Sequence, residues 1–256
     1  GRGVFNTLVK AGYDSVSLDF DRDFFNKVSK IEPDIVFIAL HGKFGEDGRV
    51  QAMLDFLQIP YTHSPSLSCS ICMNKLSSLR LVESFGHTTP KRSVLHKKFK
   101  DNEERISRIN YPIVVKPVDS GSSVGVEIIS GRDKFDISNY QWQYGDELIV
   151  EEYIEGKEVQ VALMNGKALG AIEIRPKNEF YNYESKYVSG MSEYIMPAEI
   201  PTGSYSKLLK ISEEIHDKLG CKGISRIDYR YNVDEDEFYF LEINTHPGFT
   251  ENSLLP

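Results

Sequence analysis

A pair of strands joined by a short polar turn constrains the fold of this chain more than any other segment. Residues 223–231 and 238–244 are rich in β-branched and aromatic side chains, as strands are. The six residues between them are polar and have the composition of a turn. The pattern therefore predicts an antiparallel hairpin, in which directly paired residues share one face of the sheet.

One face of this hairpin collects carboxylates and an amide. Symmetric pairing about Glu235 places Asp228 opposite Glu242, and Arg226 opposite Asn244. Directly opposed carboxylates repel by roughly 1–3 kcal/mol, and a divalent cation between them turns that repulsion into binding. A ligand set made only of oxygens suits Mg²⁺ or Mn²⁺ rather than zinc. A surface hairpin whose charges face solvent is the alternative, and the hairpin alone leaves both open.

Composition excludes several classes of protein. The chain has 256 residues and a net charge of −8, so it lacks the positive field that a nucleic-acid partner requires. Its longest apolar run, 35–40, is too short to span a bilayer, and no signal peptide is visible. Three cysteines include a C-x-x-C pair, Cys69 and Cys72, which without further ligands favours buried small side chains over zinc or redox chemistry. We expect a cytoplasmic protein that binds neither nucleic acid nor membrane.

Three units are expected along the chain, at 1–64, 65–150 and 151–256. Apolar strands alternate with helices in the first unit, which favours a parallel α/β sheet. Helices are expected at 4–9, 48–57, 74–85, 98–109 and 206–219. Strands are expected at 15–18, 34–40, 59–61, 93–95, 113–116, 124–129, 158–164 and 168–174, followed by the hairpin.

Two further segments point to a nucleotide. Lys116 ends a strand and enters a loop of Gly and Ser, 119–125, whose successive backbone N–H groups can converge on a phosphate. The loop lacks the Walker A pattern, and a tight hairpin explains it equally well. Residues 151–158 follow an apolar strand and could present backbone groups to an adenine and a carboxylate to a ribose, although a plain turn is as plausible. Lys75 begins a helix, where most lysines face solvent.

Taken in chain order, these segments resemble the D-alanine–D-alanine ligases of the ATP-grasp superfamily. The matching segments are 41–48, 73–75, 114–117, 121–125, 180–187, 220–223, 226–228 and 241–248, with Ser253 and Leu254 behind them. The resemblance implies an α/β (α+β) ATP-grasp fold of three lobes, with a Rossmann-like N-terminal domain and ATP between the second and third lobes. It also implies that ATP phosphorylates one D-alanine and that the amino group of a second D-alanine attacks the acyl phosphate.

The resemblance assigns roles to individual residues. ATP contacts are implied for Lys75, Lys116, Ser123, Glu151, Glu152, Ile154, Glu158 and Lys186. Two Mg²⁺ or Mn²⁺ ions are implied at Asp228, Glu242 and Asn244. The oxyanion would be held by Arg226 and the Gly248 N–H, while Ser122 and Tyr187 belong to the network that closes the site. The two D-alanines would meet His41, Tyr181, Ser253 and Leu254.

Several points depart from the family or stay open. Ser120 stands where several relatives carry a Glu that helps to organise the loop over the site. The sequence starts after the family's first strand and glycine-rich segment and stops before its last helix, so the first and third units are expected to be incomplete as given. A homodimer is expected. The alternatives are a ligase that joins D-alanine to D-lactate or D-serine, and an ATP-grasp module that binds nucleotide without catalysis.

Overall fold

The computed structural model describes residues 1–121, 124–176 and 192–249. Its helices are α1 Arg2–Lys10, α2 Phe24–Ile31, α3 Arg49–Phe56, α4 Ser66–Met73, α5 Lys75–Ser84, α6 Asn102–Ser107 and α7 Thr202–Lys218. Its strands are β1 Arg92–His96, β2 Ile113–Pro117, β3 Glu127–Ile129, β4 Glu147–Glu152, β5 Lys157–Met164, β6 Lys167–Pro176, β7 Ser192–Ile195, β8 Ile224–Asn232 and β9 Glu237–Asn244. The mixture of helices and antiparallel sheets agrees with the expected α/β (α+β) class.

A four-stranded antiparallel sheet with the order β1-β4-β2-β3 forms the first scaffold. One face of it carries apolar side chains that pack with helix α6 around Ile106. The opposite face carries Lys116 and Glu151, because side chains alternate along β2 and β4. Strand β4 extends to Glu152 in this sheet. The division of the chain at residues 64 and 150 stays a prediction.

A five-stranded antiparallel sheet with the order β7-β6-β5-β8-β9 forms the second scaffold. Its apolar face is covered by α7, through Leu208 and Ile215, by α5, through Leu76 and Leu79, and by α4, through Cys72. Burial of this face is the main source of stability for the sheet. The opposite face is therefore left for polar side chains.

Two of the three helices in the N-terminal unit, α1 and α3, lie where the sequence predicts them, whereas α2 was not predicted and the described residues do not form the expected sheet. Helices α1 and α3 are confirmed, and a core of apolar side chains forms around Phe24 and Leu54. The strand expected at 15–18 is wrong, because that segment pairs with no neighbour in the described part of the chain. Of the expected parallel sheet, the described residues show one bridge, between Val36 and Tyr61.

Two other elements are shorter than expected. The helix predicted at 98–109 is confirmed only over 102–107, and the strand predicted at 124–129 only over 127–129. The predicted helix at 74–85 is confirmed as α5, whose Asn74 side chain accepts a hydrogen bond from the Ser77 N–H (2.9 Å). This N-cap satisfies one donor that the first turn leaves unpaired. It fixes Lys75 at the start of the helix.

Candidate functional site

The β8–β9 hairpin forms its polar face as the sequence predicts. Asp228 pairs with Glu242, and Arg226 pairs with Asn244. Asp228 is 3% exposed, and a buried carboxylate needs hydrogen bonds or an opposite charge to replace the water that it has lost. The predicted juxtaposition of two carboxylates and an amide is confirmed.

Toward the turn the pairing differs from the prediction by one residue. Tyr229 pairs with Phe240 and Tyr231 with Phe238, so that Leu241 has no partner in the ladder. The predicted symmetry about Glu235 is wrong in this half, because β9 contains a β-bulge. The aromatic side chains on both strands are thereby placed in the core, as their burial requires (exposures of 3% or less). After the bulge, alternation resumes with the carboxylate and amide on the polar face.

Asp228 is held by two neighbours on its own face. Arg226 donates to both of its oxygens, from Nε to Oδ1 (2.7 Å) and from Nη2 to Oδ2 (2.9 Å). Gln160, directly opposite on β5, donates from Nε2 to Oδ2 (3.1 Å). Bidentate arginine pairs are among the stronger hydrogen-bonded contacts. The carboxylate is therefore fixed in direction before any ligand arrives.

Glu242 lies against a lysine from helix α5. Lys75 Nζ is 3.3 Å from Glu242 Oε2 and also contacts the backbone carbonyl of Ser120. The Lys75 side chain is buried (8% exposed), which contradicts a solvent-facing lysine. A small cavity forms at this point, lined by Glu46, Cys72, Met73, Lys75, Ser120, Gly121, Glu242, Ile243, Asn244, Thr245 and His246. It brings together helix α5, the glycine-containing loop and the end of the hairpin.

A second buried ion pair lies on the four-stranded sheet. Lys116 Nζ is 2.7 Å from Glu151 Oε1, and both side chains are less than a tenth exposed. The other carboxylate oxygen of Glu151, Oε2, is buried without a hydrogen-bond partner. A buried acceptor left unpaired is costly, and such atoms commonly face a ligand or a water. Glu151 Oε2 is thus placed to accept a hydrogen bond from a bound ligand.

The segment between β4 and β5 turns tightly beside the second sheet. Gly156 has φ +126, and a Cβ there would lie 2.0 Å from the Tyr231 carbonyl oxygen, so only glycine fits. Arg230 donates to the carbonyl of Ile154 (3.0 Å) and to the hydroxyl of Tyr153 (3.0 Å). Glu158 is buried (7% exposed) and shares the face of Arg230. The turn thus links the two sheets and places Glu158 beside Arg230.

Glu152 behaves differently from its neighbour Glu151. It pairs with Ile113, on the opposite face of the sheet. Its Oε1 accepts a hydrogen bond from the backbone N–H of Lys91 (2.9 Å). The Glu152 side chain therefore lies on the face opposite Lys116, where it binds the backbone of Lys91.

Three histidines meet at the end of the hairpin. His41 Nδ1 lies 3.2 Å from Glu46 Oε1, and its ring is 5.2 Å from that of His246. The ring of His63 lies 4.1 Å from that of His246, at an interplanar angle of 43°. Burial lowers the pKa of His63 to about 4 and, together with the two neighbouring histidines, lowers the pKa of His246 to about 3. Both buried rings are neutral at pH 7.

The cysteines form no metal site. Cys69, Cys72 and Cys221 are all buried and free, and the Sγ atoms of Cys72 and Cys221 are 3.9 Å apart. This agrees with the expectation of buried small side chains. Among the described residues, no group of three or more His, Cys, Asp or Glu side chains is arranged to hold a metal ion. The hairpin contributes two carboxylates and one amide.

Several predicted site residues lie outside the described residues. They are Ser122, Ser123, Tyr181, Lys186, Tyr187, Ser253 and Leu254. Of the others, the structure brings Lys75, Glu242 and Asn244 to one cavity, and it pairs Lys116 with Glu151. Gly248 follows the hairpin, two residues beyond His246.

Sequence reasoning missed four residues of the site. Gln160 and Arg230 lie two residues from Glu158 and Asp228 on their strands, so the period of two along a strand could have identified them. His63 and His246 are separated by 183 positions in the numbering. No local pattern indicates their contact, which depends on how the N-terminal unit meets the hairpin.

Comparison with known proteins identifies the relatives of this chain. Residues 11–64 match the family model described as D-ala D-ala ligase N-terminus, and residues 81–256 match D-ala D-ala ligase C-terminus. The D-alanine--D-alanine ligase of Rickettsia bellii is 44% identical over 255 residues, which is 99% of this chain and 78% of that protein. The D-alanine--D-alanine ligase of Wolbachia pipientis is also 44% identical, over all of this chain and 81% of its own length.

A solved structure has the same fold. The D-alanine--D-alanine ligase of Bacillus anthracis complexed with ATP superposes with a TM-score of 0.82 at 33% identity. The match covers 98% of this chain and 82% of that one. In the part of the chain that the structure describes, no helix has both the length and the apolar character needed to cross a bilayer.

Proposed function

The chain belongs to the D-alanine–D-alanine ligase family, and from that premise we propose how its residues share the work of the reaction. The enzyme joins two D-alanines in an ATP-dependent step of cell-wall precursor synthesis. The observation that carries the proposal is the polar face of the β8–β9 hairpin, where Asp228 opposes Glu242 and Arg226 opposes Asn244. This face and the Lys75 side chain meet at one cavity.

The nucleotide is proposed to lie between the two sheets. Lys75 and Lys116 bind its phosphates, and Glu151 and the Ile154 backbone contact the adenine. The unpartnered Oε2 of Glu151 supports this assignment, since an adenine amino group is a donor of the kind that it lacks. Glu158 binds the ribose. Ser123 and Lys186 complete the proposed ATP contacts, and Glu152, whose carboxylate binds the Lys91 N–H on the opposite face, would contribute through its backbone alone.

The donor set of the hairpin fits a hard divalent cation. Asp228, Glu242 and Asn244 offer only oxygen ligands toward the polar face, and two opposed carboxylates favour a cation between them. Arg226 and Lys75 balance these carboxylates in the structure as it stands. We propose that the three residues hold two Mg²⁺ or Mn²⁺ ions. When bound, such ions neutralise the negative charge on the phosphoryl oxygens.

The first chemical step is phosphoryl transfer to a carboxylate. A carboxylate oxygen of the first D-alanine forms a bond to the γ-phosphorus of ATP, the bond to the β-phosphate oxygen breaks, and ADP leaves. Lys75 and Lys116 are proposed to position the phosphates for this in-line displacement, which depends chiefly on placement and charge. His41 and Tyr181 are proposed to contact the first D-alanine.

The second step forms the peptide bond. The amino nitrogen of the second D-alanine attacks the acyl carbon, and phosphate leaves after a tetrahedral oxyanion has formed. Arg226 and the Gly248 N–H are proposed to stabilise that oxyanion, the kind of contact that contributes most to acyl transfer. Ser253 and Leu254 are proposed to hold the second D-alanine, while Ser122 and Tyr187 close the site.

Assembly and location remain proposals from the family resemblance. We propose a cytoplasmic homodimer whose substrates are ATP and two D-alanines, without a nucleic-acid or membrane partner. The net charge of −8 supports the exclusion of nucleic acid. Light scattering coupled to size-exclusion chromatography tests the dimer directly: a mass of twice 29.1 kDa is expected, and a single-chain mass contradicts it.

The test of the function is a product assay. ATP and Mg²⁺ with D-alanine should give ADP, phosphate and D-alanyl-D-alanine in equal amounts. D-Serine and D-lactate are then supplied in competition with D-alanine across a range of pH. The pH dependence separates D-lactate, which attacks through a hydroxyl, from the two amino acids, whose ammonium groups must first lose a proton, and the identity of the product separates D-serine from D-alanine. A product dominated by D-alanyl-D-lactate or D-alanyl-D-serine supports the alternative ligases. ATP binding that is insensitive to D-alanine, without ADP release, supports a non-catalytic module.

A further inference from the structure

Three imidazole rings join the N-terminal unit to the end of the hairpin. His246 lies between the other two, 4.1 Å from the ring of His63 and 5.2 Å from that of His41. Phe37 and Phe249 pack edge-on against His63, at 5.3 and 5.9 Å. This cluster of histidine and phenylalanine rings therefore packs the segment that follows β9 against the N-terminal unit.

The backbone of His63 is strained in this cluster of rings. His63 has φ +76, a left-handed backbone conformation that residues other than glycine rarely adopt. Its Nδ1 is satisfied by the hydroxyl of Thr62 (2.7 Å), so this ring has a polar partner. Strained, buried residues that persist tend to mark sites where the local geometry serves function.

Unlike the ring of His63, the ring of His246 has no hydrogen-bond partner among the described residues. Its side chain is 4% exposed, yet neither Nδ1 nor Nε2 has a hydrogen-bond partner. Every imidazole carries at least one N–H, whichever tautomer or protonation state it adopts. A buried donor without an acceptor destabilises a protein unless a water or a ligand completes it. The ring thus has an unused donor inside the folded protein.

The cavity beside His246 suits a zwitterion. Glu46 supplies a carboxylate for an ammonium group, and Lys75 supplies a cation for a carboxylate. The cavity itself measures only about 20 Å³, and it shares Met73, Ser120 and Gly121 with a larger one of about 670 Å³, so an amino acid bound here would extend toward the larger cavity. An α-amino acid has the two charges that these residues complement.

We propose that His246 is a binding residue for the first D-alanine, to whose carboxylate one of its ring nitrogens donates a hydrogen bond. The inference rests on the proposed function and adds a residue to it. His63 serves as a positioning residue, since its ring packs against His246 and sets the direction of the donor. Lys75 supplies charge at the same cavity, whereas His246 supplies a directional contact.

The decisive variant is His246→Phe, which keeps an aromatic ring between His41 and His63 and removes both nitrogens. Hydroxylamine is used as the nucleophile in place of the second D-alanine: its nitrogen attacks the acyl carbon of D-alanyl phosphate, phosphate leaves, and D-alanine hydroxamate is measured. With hydroxylamine in large excess and D-alanine kept too low to fill the second site, the D-alanine concentration for half-maximal hydroxamate formation reports the first site. We expect it to rise about tenfold or more, as for a lost hydrogen bond to a charged group, with the half-saturating ATP concentration unchanged.

Two further variants separate binding from packing. His63→Phe keeps a ring against His246 and leaves the nitrogens of His246 in place, so it should raise the half-saturating D-alanine concentration less than His246→Phe does. His246→Asn keeps an N–H donor and should recover part of the affinity that His246→Phe loses. Equal effects of His63→Phe and His246→Phe, or no recovery in His246→Asn, would overturn the inference.

The outcome also distinguishes this inference from the function on which it rests. A wild-type enzyme that forms no hydroxamate and releases no ADP with D-alanine contradicts the proposed function and the inference together. An active wild type whose D-alanine dependence is unchanged by His246→Phe contradicts the inference alone. Thermal unfolding of each variant confirms that the rates compare folded proteins.

Discussion

The two halves of the β8–β9 hairpin use the same two strands for different purposes. Near the turn, Tyr229, Tyr231, Phe238 and Phe240 are all buried against the helices of the second core. Beyond the bulge at Leu241, the same strands present carboxylates, an arginine and an amide on the opposite face. The half near the turn thus contributes four aromatic side chains to the core, while the half beyond the bulge carries polar site residues on one face and fills the core with Ile227 and Ile243 on the other.

The bulge explains how both halves can be satisfied. Phe240 belongs in the core and Glu242 on the polar face, although the two are separated by an even number of positions and a regular strand would give them the same face. One unpaired residue between them restores the correct side for each. A local irregularity, rather than a change of strand, thus places Phe240 in the core and Glu242 on the polar face.

The largest effect is expected in the polar half. Asp228→Asn keeps the shape of the side chain but removes the charge that Arg226 and a divalent cation would share. We expect kcat/KM for D-alanine-dependent ADP release to fall by about a hundred- to a thousandfold or more. Far-UV circular dichroism should be unchanged. Activity within a factor of two of the wild type would remove Asp228 from the site.

The aromatic half should lose stability instead. Phe240→Ala opens a cavity at a fully buried position (0% exposed) and should lower the free energy of unfolding by about 3–5 kcal/mol. Urea unfolding measures the loss. The activity per folded molecule should stay within about twofold of the wild type, since the side chain points away from the site. A fall in activity without a fall in stability would show that the two halves are not separate.

A smaller loss is expected from one hydroxyl near the turn. Tyr231 donates from its OH to Asp236 Oδ1 (2.7 Å), while its ring stacks with Phe238 at 4.6 Å. Tyr231→Phe removes the hydrogen bond and keeps the ring, so we expect a loss of about 1 kcal/mol in unfolding free energy. An unchanged urea midpoint would mean that the bond contributes nothing to the turn.

The smallest effect concerns acid. Hydrogen bonds from Ser204 and Tyr231 lower the pKa of Asp236 below its usual 3.8. Asp236 therefore contributes stability that is complete above pH 3.8 and is lost as pH falls through the lower, folded-state pKa. Asp236→Asn should flatten the fall in thermal midpoint in that acid range, with no change in its slope near pH 7. Identical pH profiles for the two proteins would contradict this.

Sequence reasoning recovered the elements whose signals are local. A helix was predicted at 74–85, where α5 lies, and the pairing of Asp228 with Glu242 followed from the alternation on either side of a polar turn. The ATP-grasp fold and the ligation of D-alanines followed from the order of motifs, and the family models confirm them.

The remaining features depend on contacts that no local pattern records. Nothing near Leu241 distinguishes a bulge from a regular ladder, because the choice depends on which aromatic side chains the helices cover. His63 and His246 meet only because two distant loops pack together. The strand expected at 15–18 has the right composition but no partner among the described residues, and a strand requires one.

The most direct test compares two glutamates of one strand. Glu242 lies beyond the bulge, on the polar face, and Glu237 lies before it, where it accepts a hydrogen bond from Thr88 and pairs with Lys207. ATP-dependent binding of Mn²⁺ is measured by electron paramagnetic resonance for Glu242→Gln and for Glu237→Gln. The account predicts that Glu242→Gln weakens Mn²⁺ binding by about tenfold or more, while Glu237→Gln binds like the wild type. Equal binding by both variants would contradict the claim that the metal ligand supplied by β9 lies beyond the bulge, on the polar face of the hairpin.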